Sequence, residues 1–86
     1  MNTLERDIKQ FVLKALLRAK EQPINDDTLR SLVRSGFSHV ALTEADLSGW
    51  IKDLEQSGIL VGTNDDVFGL MWALSLTGKI KAQQLR

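Results

Sequence analysis

Apolar residues recur along this chain in two rhythms, a helical one through most of its length and an alternating one near residue 60. From Thr3 to Lys20, Leu4, Ile8, Phe11, Val12, Ala15 and Ala19 keep the 3.6-residue period and predict an amphipathic helix with one core face. Leu13 and Leu17 stand on its other side, beside Arg6 and Gln10. A second helix is predicted after Asn25 as N-cap, with Ile24 and Leu29 placed as a hydrophobic staple. Leu29, Leu32 and Val33 point inward, and Gly36 followed by Phe37 ends the helix. The third helix repeats the device: Thr43 is its N-cap, Leu42 and Leu47 its staple, and Asp46 stands where a capping box has Glu or Gln. Its apolar stripe is Leu47, Trp50, Ile51 and Leu54, and Gly58 stops it. The rhythm then changes. Ile59 to Thr63 and Val67 to Leu76 read as two strands around an Asn64-Asp65-Asp66 turn, and residues 78–86 as a short terminal helix carrying Ile80 and Leu85. The expected core is Leu4, Ile8, Phe11, Leu29, Leu32, Leu47, Ile51, Leu54, Leu74 and Leu76.

The expected fold class is therefore mainly α with a small antiparallel β-hairpin, in one domain spanning residues 1–86. Composition supports a soluble globular chain, with 43% hydrophobic and 26% charged residues. A domain this small buries a modest share of its surface, so association with another chain would help it. The absence of cysteine excludes disulfides, thiolate metal sites and cysteine nucleophiles. No apolar run approaches the roughly 18–20 residues of a membrane span, and Met1 to Glu5 do not read as a signal peptide, so no membrane partner and a cytoplasmic location are expected.

The order helix, helix, helix, hairpin resembles the winged helix-turn-helix superfamily, and its second half resembles MarR- and ArsR-like bacterial or phage regulators. Those proteins carry a Leu-Glu-x-x-Gly-Leu/Ile pattern before the wing, and Leu54-Glu55-Gln56-Ser57-Gly58-Ile59 matches it position for position. Leu74-Ser75-Leu76-Thr77-Gly78-Lys79 is a looser match to the segment after the wing, with its Gly early. The resemblance covers roughly residues 4–80. It implies a winged-helix domain with a short C-terminal helix, DNA binding with the third helix in the major groove, transcription regulation, and a homodimer built from the first and last helices. Two features depart from the pattern. The link from Gly36 to Thr43 is longer than a helix-turn-helix expects, and the expected wing tip is acidic where DNA-binding wings usually offer Arg or Lys.

Charge sharpens the second departure. The whole chain is formally neutral, but residues 43–66 carry six acids against Lys52 alone, a net −5 that a polyanion would meet with repulsion. With the apolar stripe of the third helix inward, its outer strip is Ala45, Ser48, Gly49, Lys52 and Gln56. Ser48, Lys52 and Gln56 suit base edges or phosphates. Ala45, Ser48 and Gly49 are small enough to admit another backbone, and Gly49 costs the helix roughly 1 kcal/mol relative to Ala. Arg30 and Arg34, one turn apart on the second helix, are placed to clamp a phosphate, and Asn64 stands on the wing. These eight residues are the expected nucleic-acid or partner contacts. Leu13 and Leu17 would be exposed unless covered, either by the terminal helix with Ile80 and Leu85 within one chain or by a second chain; these four residues are the expected homodimer interface.

Candidates for chemistry are few. Trp50 and Trp72 lie on apolar stripes, which favours packing over base stacking. His39 has no second His or Cys to share a metal, and Asp26-Asp27 and Asp65-Asp66 sit where helix starts and turns favour Asp. No catalytic residue, metal site, cofactor or enzymatic activity is expected. The leading expectation, carried by the resemblance, is a small winged-helix DNA-binding regulator; the alternative is a winged-helix protein–protein interaction module that does not bind DNA.

Overall fold

A computed structural model describes residues 3–20 and 22–85. The element order is α1 (Thr3–Arg18), β1 (Ile24–Asn25), α2 (Asp26–Gly36), α3 (Glu44–Gln56), β2 (Leu60–Asp65), β3 (Gly69–Leu74) and α4 (Leu76–Gln83). The strands form one antiparallel sheet in the order β1-β3-β2. Arg86, included in the expected terminal helix, lies outside the described residues. No helix among those described is long and apolar enough to cross a membrane.

Each helix after the first starts on a side-chain cap. Asn25 Oδ1 accepts from the backbone N–H of Asp27 at 2.9 Å and of Thr28 at 3.4 Å, and Thr43 Oγ1 from Asp46 N–H at 3.0 Å. Ser75 caps α4 in the same way, accepting from Gly78 N–H at 2.9 Å. At the end of α3, Gly58 takes φ +77°. Its N–H then reaches the Glu55 carbonyl, and Ile59 N–H reaches that of Leu54, both at 3.0 Å. This Schellman closure satisfies two carbonyls the helix would otherwise leave open and aims the chain into β2.

The core comprises Ile8, Val12, Leu13, Leu16, Leu29, Val33, Leu47, Ile51, Leu54, Leu60, Trp72 and Ala82. Three sequence expectations are corrected by it. Leu13, expected on an open face, is only 6% exposed, because α4 lies along α1 and buries a second side of that helix. Leu32 is 40% exposed: Leu29 and Val33, one turn apart, take the core, and Leu32 falls at the edge of their stripe. Leu76 is 77% exposed, since the chain leaves the sheet at Leu74 and Leu76 opens α4 instead of extending the strand.

The hairpin turn also differs. Asn64 and Asp65 belong to β2, paired with Leu70 and Gly69, and the loop is Asp66-Val67-Phe68. Gly69 supplies the positive φ of +75° that a three-residue loop requires where it rejoins the ladder. Asp65 Oδ1 accepts from Val67 N–H at 2.7 Å and Phe68 N–H at 2.9 Å, fixing the loop from inside. The third strand, β1, has no counterpart in the sequence reading. It pairs Ile24 with Trp72 and Asn25 with Met71, and Asn25 Nδ2 donates to the Phe68 carbonyl. Asn25 thus caps α2 and ties down the hairpin tip at once.

Candidate contact surface

The outer strip of α3 is open. Ala45, Ser48, Gly49, Lys52 and Gln56 are all exposed, and a Cβ on Gly49 would meet nothing within 4 Å. The expected close approach at Gly49 is therefore made by nothing among the described residues. Asn64 is exposed on β2, toward the hairpin tip and away from the junction with α3.

The two arginines of α2 are engaged rather than free. Arg30 Nε donates to Asp26 Oδ2 at 2.9 Å, and its Nη1 reaches Ser48 Oγ at 2.9 Å and Glu44 Oε2 at 3.3 Å. Arg34 Nη1 donates to the Leu42 carbonyl at 2.9 Å, and its Nη2 donates to Glu44 Oε1. Glu44, in the first turn of α3, therefore bridges both guanidinium groups. It also sits where the positive end of the helix dipole favours an anion. Trp72 Nε1 extends the network to Asp26 Oδ1 at 2.8 Å. The structure brings three of the expected contact residues, Arg30, Arg34 and Ser48, together around Glu44 in an internal brace between α2 and α3. The Asp26–Arg30 pair is legible as an i,i+4 spacing. Glu44, 14 residues from Arg30 and 10 from Arg34, is not.

With both arginines neutralised, the electrostatics of this surface are acidic. Among the described residues Lys52 has no ion-pair partner, and neither do Asp46, Glu55, Asp65 and Asp66, while Asp53 meets Lys9 at 3.6 Å. The Phe68 and Val67 N–H groups bound to Asp65 hold its carboxyl below the ordinary value of 3.8, against a small opposing effect of desolvation. The hairpin tip adds apolar area: Val67 is 80% and Phe68 63% exposed.

The remaining candidates sort by burial. Trp72 is buried and Trp50 half-buried against the core, so neither ring is an open stacking platform. His39 is exposed and stacks on Phe37 with ring centres 6.3 Å apart. No group of three or more potential metal ligands occurs among the described residues. Of the four expected dimer residues, Leu13 is buried within the chain, Leu17 and Leu85 are half-buried along the α1–α4 seam, and Ile80 is exposed. A groove of about 250 Å³ runs there between Lys14, Leu17, Arg18, Ala82 and Leu85. Comparison of the chain with protein-family models, curated proteins and solved structures finds no match.

Proposed function

We propose that this chain is a non-catalytic winged-helix module that binds a protein partner through the outer strip of α3 and the tip of the β2–β3 hairpin. The order helix, strand, helix, helix, hairpin, with the two-residue β1 on the free edge of β3, supports the winged-helix assignment. One observation carries the choice of partner. Glu44 pairs with both arginines that would have offered positive charge beside α3, leaving the acids Asp46, Asp53 and Glu55 to flank the strip, while the hairpin tip exposes Val67 and Phe68 beside Asp65 and Asp66. A phosphate backbone gains little from such a surface, since nucleic-acid affinity comes largely from cations that displace condensed counterions. A partner with basic and apolar side chains is complementary to it, through charge that steers encounter and apolar contacts at the tip.

The second reading is a DNA-binding regulator with α3 in the major groove, favoured by the exposed polar side chains Ser48, Lys52 and Gln56 in one strip. A titration against random duplex DNA between about 50 and about 200 mM salt separates the two. No measurable binding at the upper end is expected. A steep negative salt slope, weakened by Lys52→Ala, would overturn the protein-module reading. Affinity purification with the unmodified chain and with Phe68→Asp supplies the positive arm. A co-purifying protein lost in the variant is expected, and an identical set of proteins in both would count against the tip as a contact.

A further inference from the structure

We infer that the hairpin tip of one copy docks into the basic groove between α1 and α4 of another, so that the chain assembles head to tail. The inference rests on the reading of the tip as a contact surface and names its partner as a second copy of this chain.

Charge on this neutral chain is sorted by face. No Asp or Glu occurs from Ile8 to Lys20 or from Val67 to Leu85, and these stretches supply most of α1 and all of α4, which pack together. Lys14, Arg18, Lys20 and Lys81 have no ion-pair partner among the described residues. Lys14 and Arg18, one helical turn apart, border the groove of about 250 Å³ whose floor is Leu17, Ala82 and Leu85. The tip presents the matching set in the opposite sense: carboxylates on Asp65 and Asp66, then the exposed side chains of Val67 and Phe68. Two cations flanking an apolar floor meet two anions beside two apolar side chains. With formal net charge zero, no overall repulsion opposes the approach of two copies.

The tip cannot fill the groove of its own chain. β3 runs from Gly69 at the tip to Leu74 just before α4, and a strand of that length spans roughly 17–20 Å. The tip is also held in place, by Asp65 from within and by Asn25 from β1. Docking is therefore between copies. Because tip and groove are different patches, the contact is heterologous and propagates as a ring or an open chain. A single tip in a single groove buries less than the roughly 1,200 Å² of a standard stable interface, so the assembly is weak, reversible and salt-sensitive.

Sedimentation velocity on the full chain tests this. The weight-average sedimentation coefficient should rise with concentration through the high micromolar range at about 50 mM salt and fall back at about 500 mM. Phe68→Asp, and separately Lys14→Glu with Arg18→Glu, should each weaken self-association at least tenfold while circular dichroism stays unchanged. Phe68→Ser and Arg18→Gln serve as milder versions should either variant misfold. An equimolar mixture of the tip variant and the groove variant retains one intact tip and one intact groove. It should form a 1:1 pair that grows no further. A sharp dimer that Phe68→Asp leaves intact would overturn the proposal in favour of a symmetric α1–α4 interface. A monomer at every concentration and salt would overturn it too, while a partner lost from Phe68→Asp in affinity purification would still uphold the module reading.

Discussion

Replacing Gly78 with Ala tests whether α4 is seated where the structure puts it, because two known effects then oppose each other. Helix propensity alone makes Ala better than Gly by about 1 kcal/mol inside a helix. At Gly78, however, a Cβ would lie 2.2 Å from the Ile59 carbonyl oxygen. That oxygen cannot swing away, since it accepts from Ser75 N–H at 2.9 Å and Ser75 Oγ at 3.1 Å. Relief must come from lifting α4, whose Ala82 is buried in the core. Overpacking of this kind costs about 1–3 kcal/mol, and a clash with fixed backbone belongs at the upper end. Subtracting the propensity gain leaves a net loss of about 2 kcal/mol, or a fall in Tm of roughly 8–16 °C for a domain of this size. Gly49→Ala is the internal control: the same change, in a helix where the new methyl group meets nothing within 4 Å. It should raise stability by about 1 kcal/mol. Urea unfolding followed by tryptophan fluorescence and far-ultraviolet circular dichroism measures both. A stabilised Gly78→Ala protein would refute the seating of α4 on Ile59.

Leu13→Glu should cost at least about 3 kcal/mol, from lost burial and a carboxylate forced into the core, so the variant should unfold rather than persist as a folded monomer. A well-folded variant would return Leu13 to the surface. Trp72→Phe should cost about 2 kcal/mol, removing the 2.8 Å bond from Nε1 to Asp26 along with part of a buried ring, and near-neutral denaturation would exclude that bond. Asp65 is held below its ordinary value, so its support of the hairpin tip is present above that value and lost as pH falls through the lowered one. Amide resonances of Val67 and Phe68 should therefore titrate below about pH 4 and stop doing so in Asp65→Asn; flat resonances down to about pH 2 would contradict the two hydrogen bonds.

What the sequence made legible was local. Asn25 and Thr43 were readable as caps because each precedes a clear 3.6-residue stripe, and the Gly58 stop because it follows one. Ser75 uses the same chemistry and escaped notice, because Leu74 and Leu76 kept up an alternation that read as strand on both sides of it. The turn was misplaced because Asn64, Asp65 and Asp66 all suit turns, so local preference does not choose among them. Cross-strand register and the positive φ of Gly69 do. A strand of two residues is too short to leave a period, which hid β1. For Leu13 the second apolar stripe of α1 is legible, but whether α4 or a second copy covers it is not, because local pattern does not place α4 along α1. At the candidate site the identities were readable, but the state of Arg30 and Arg34 was not, since Glu44 reaches them across the α2–α3 loop.

The charge presented around Arg30 and Arg34 thus depends on one side chain, which has an evolutionary consequence. Glu44 is exposed and contributes nothing to the apolar core, so few packing constraints hold it in place. Its exchange for Gln would remove the carboxylate that Arg34 meets and leave Arg30 with Asp26, and exchange for Lys would set a third cation beside the two arginines. Either step is small on the scale of mutation and leaves the apolar core untouched, at the cost of part of the α2–α3 brace. A lineage built on this fold can therefore shift the charge beside α3 by up to two units without touching a side chain of the apolar core.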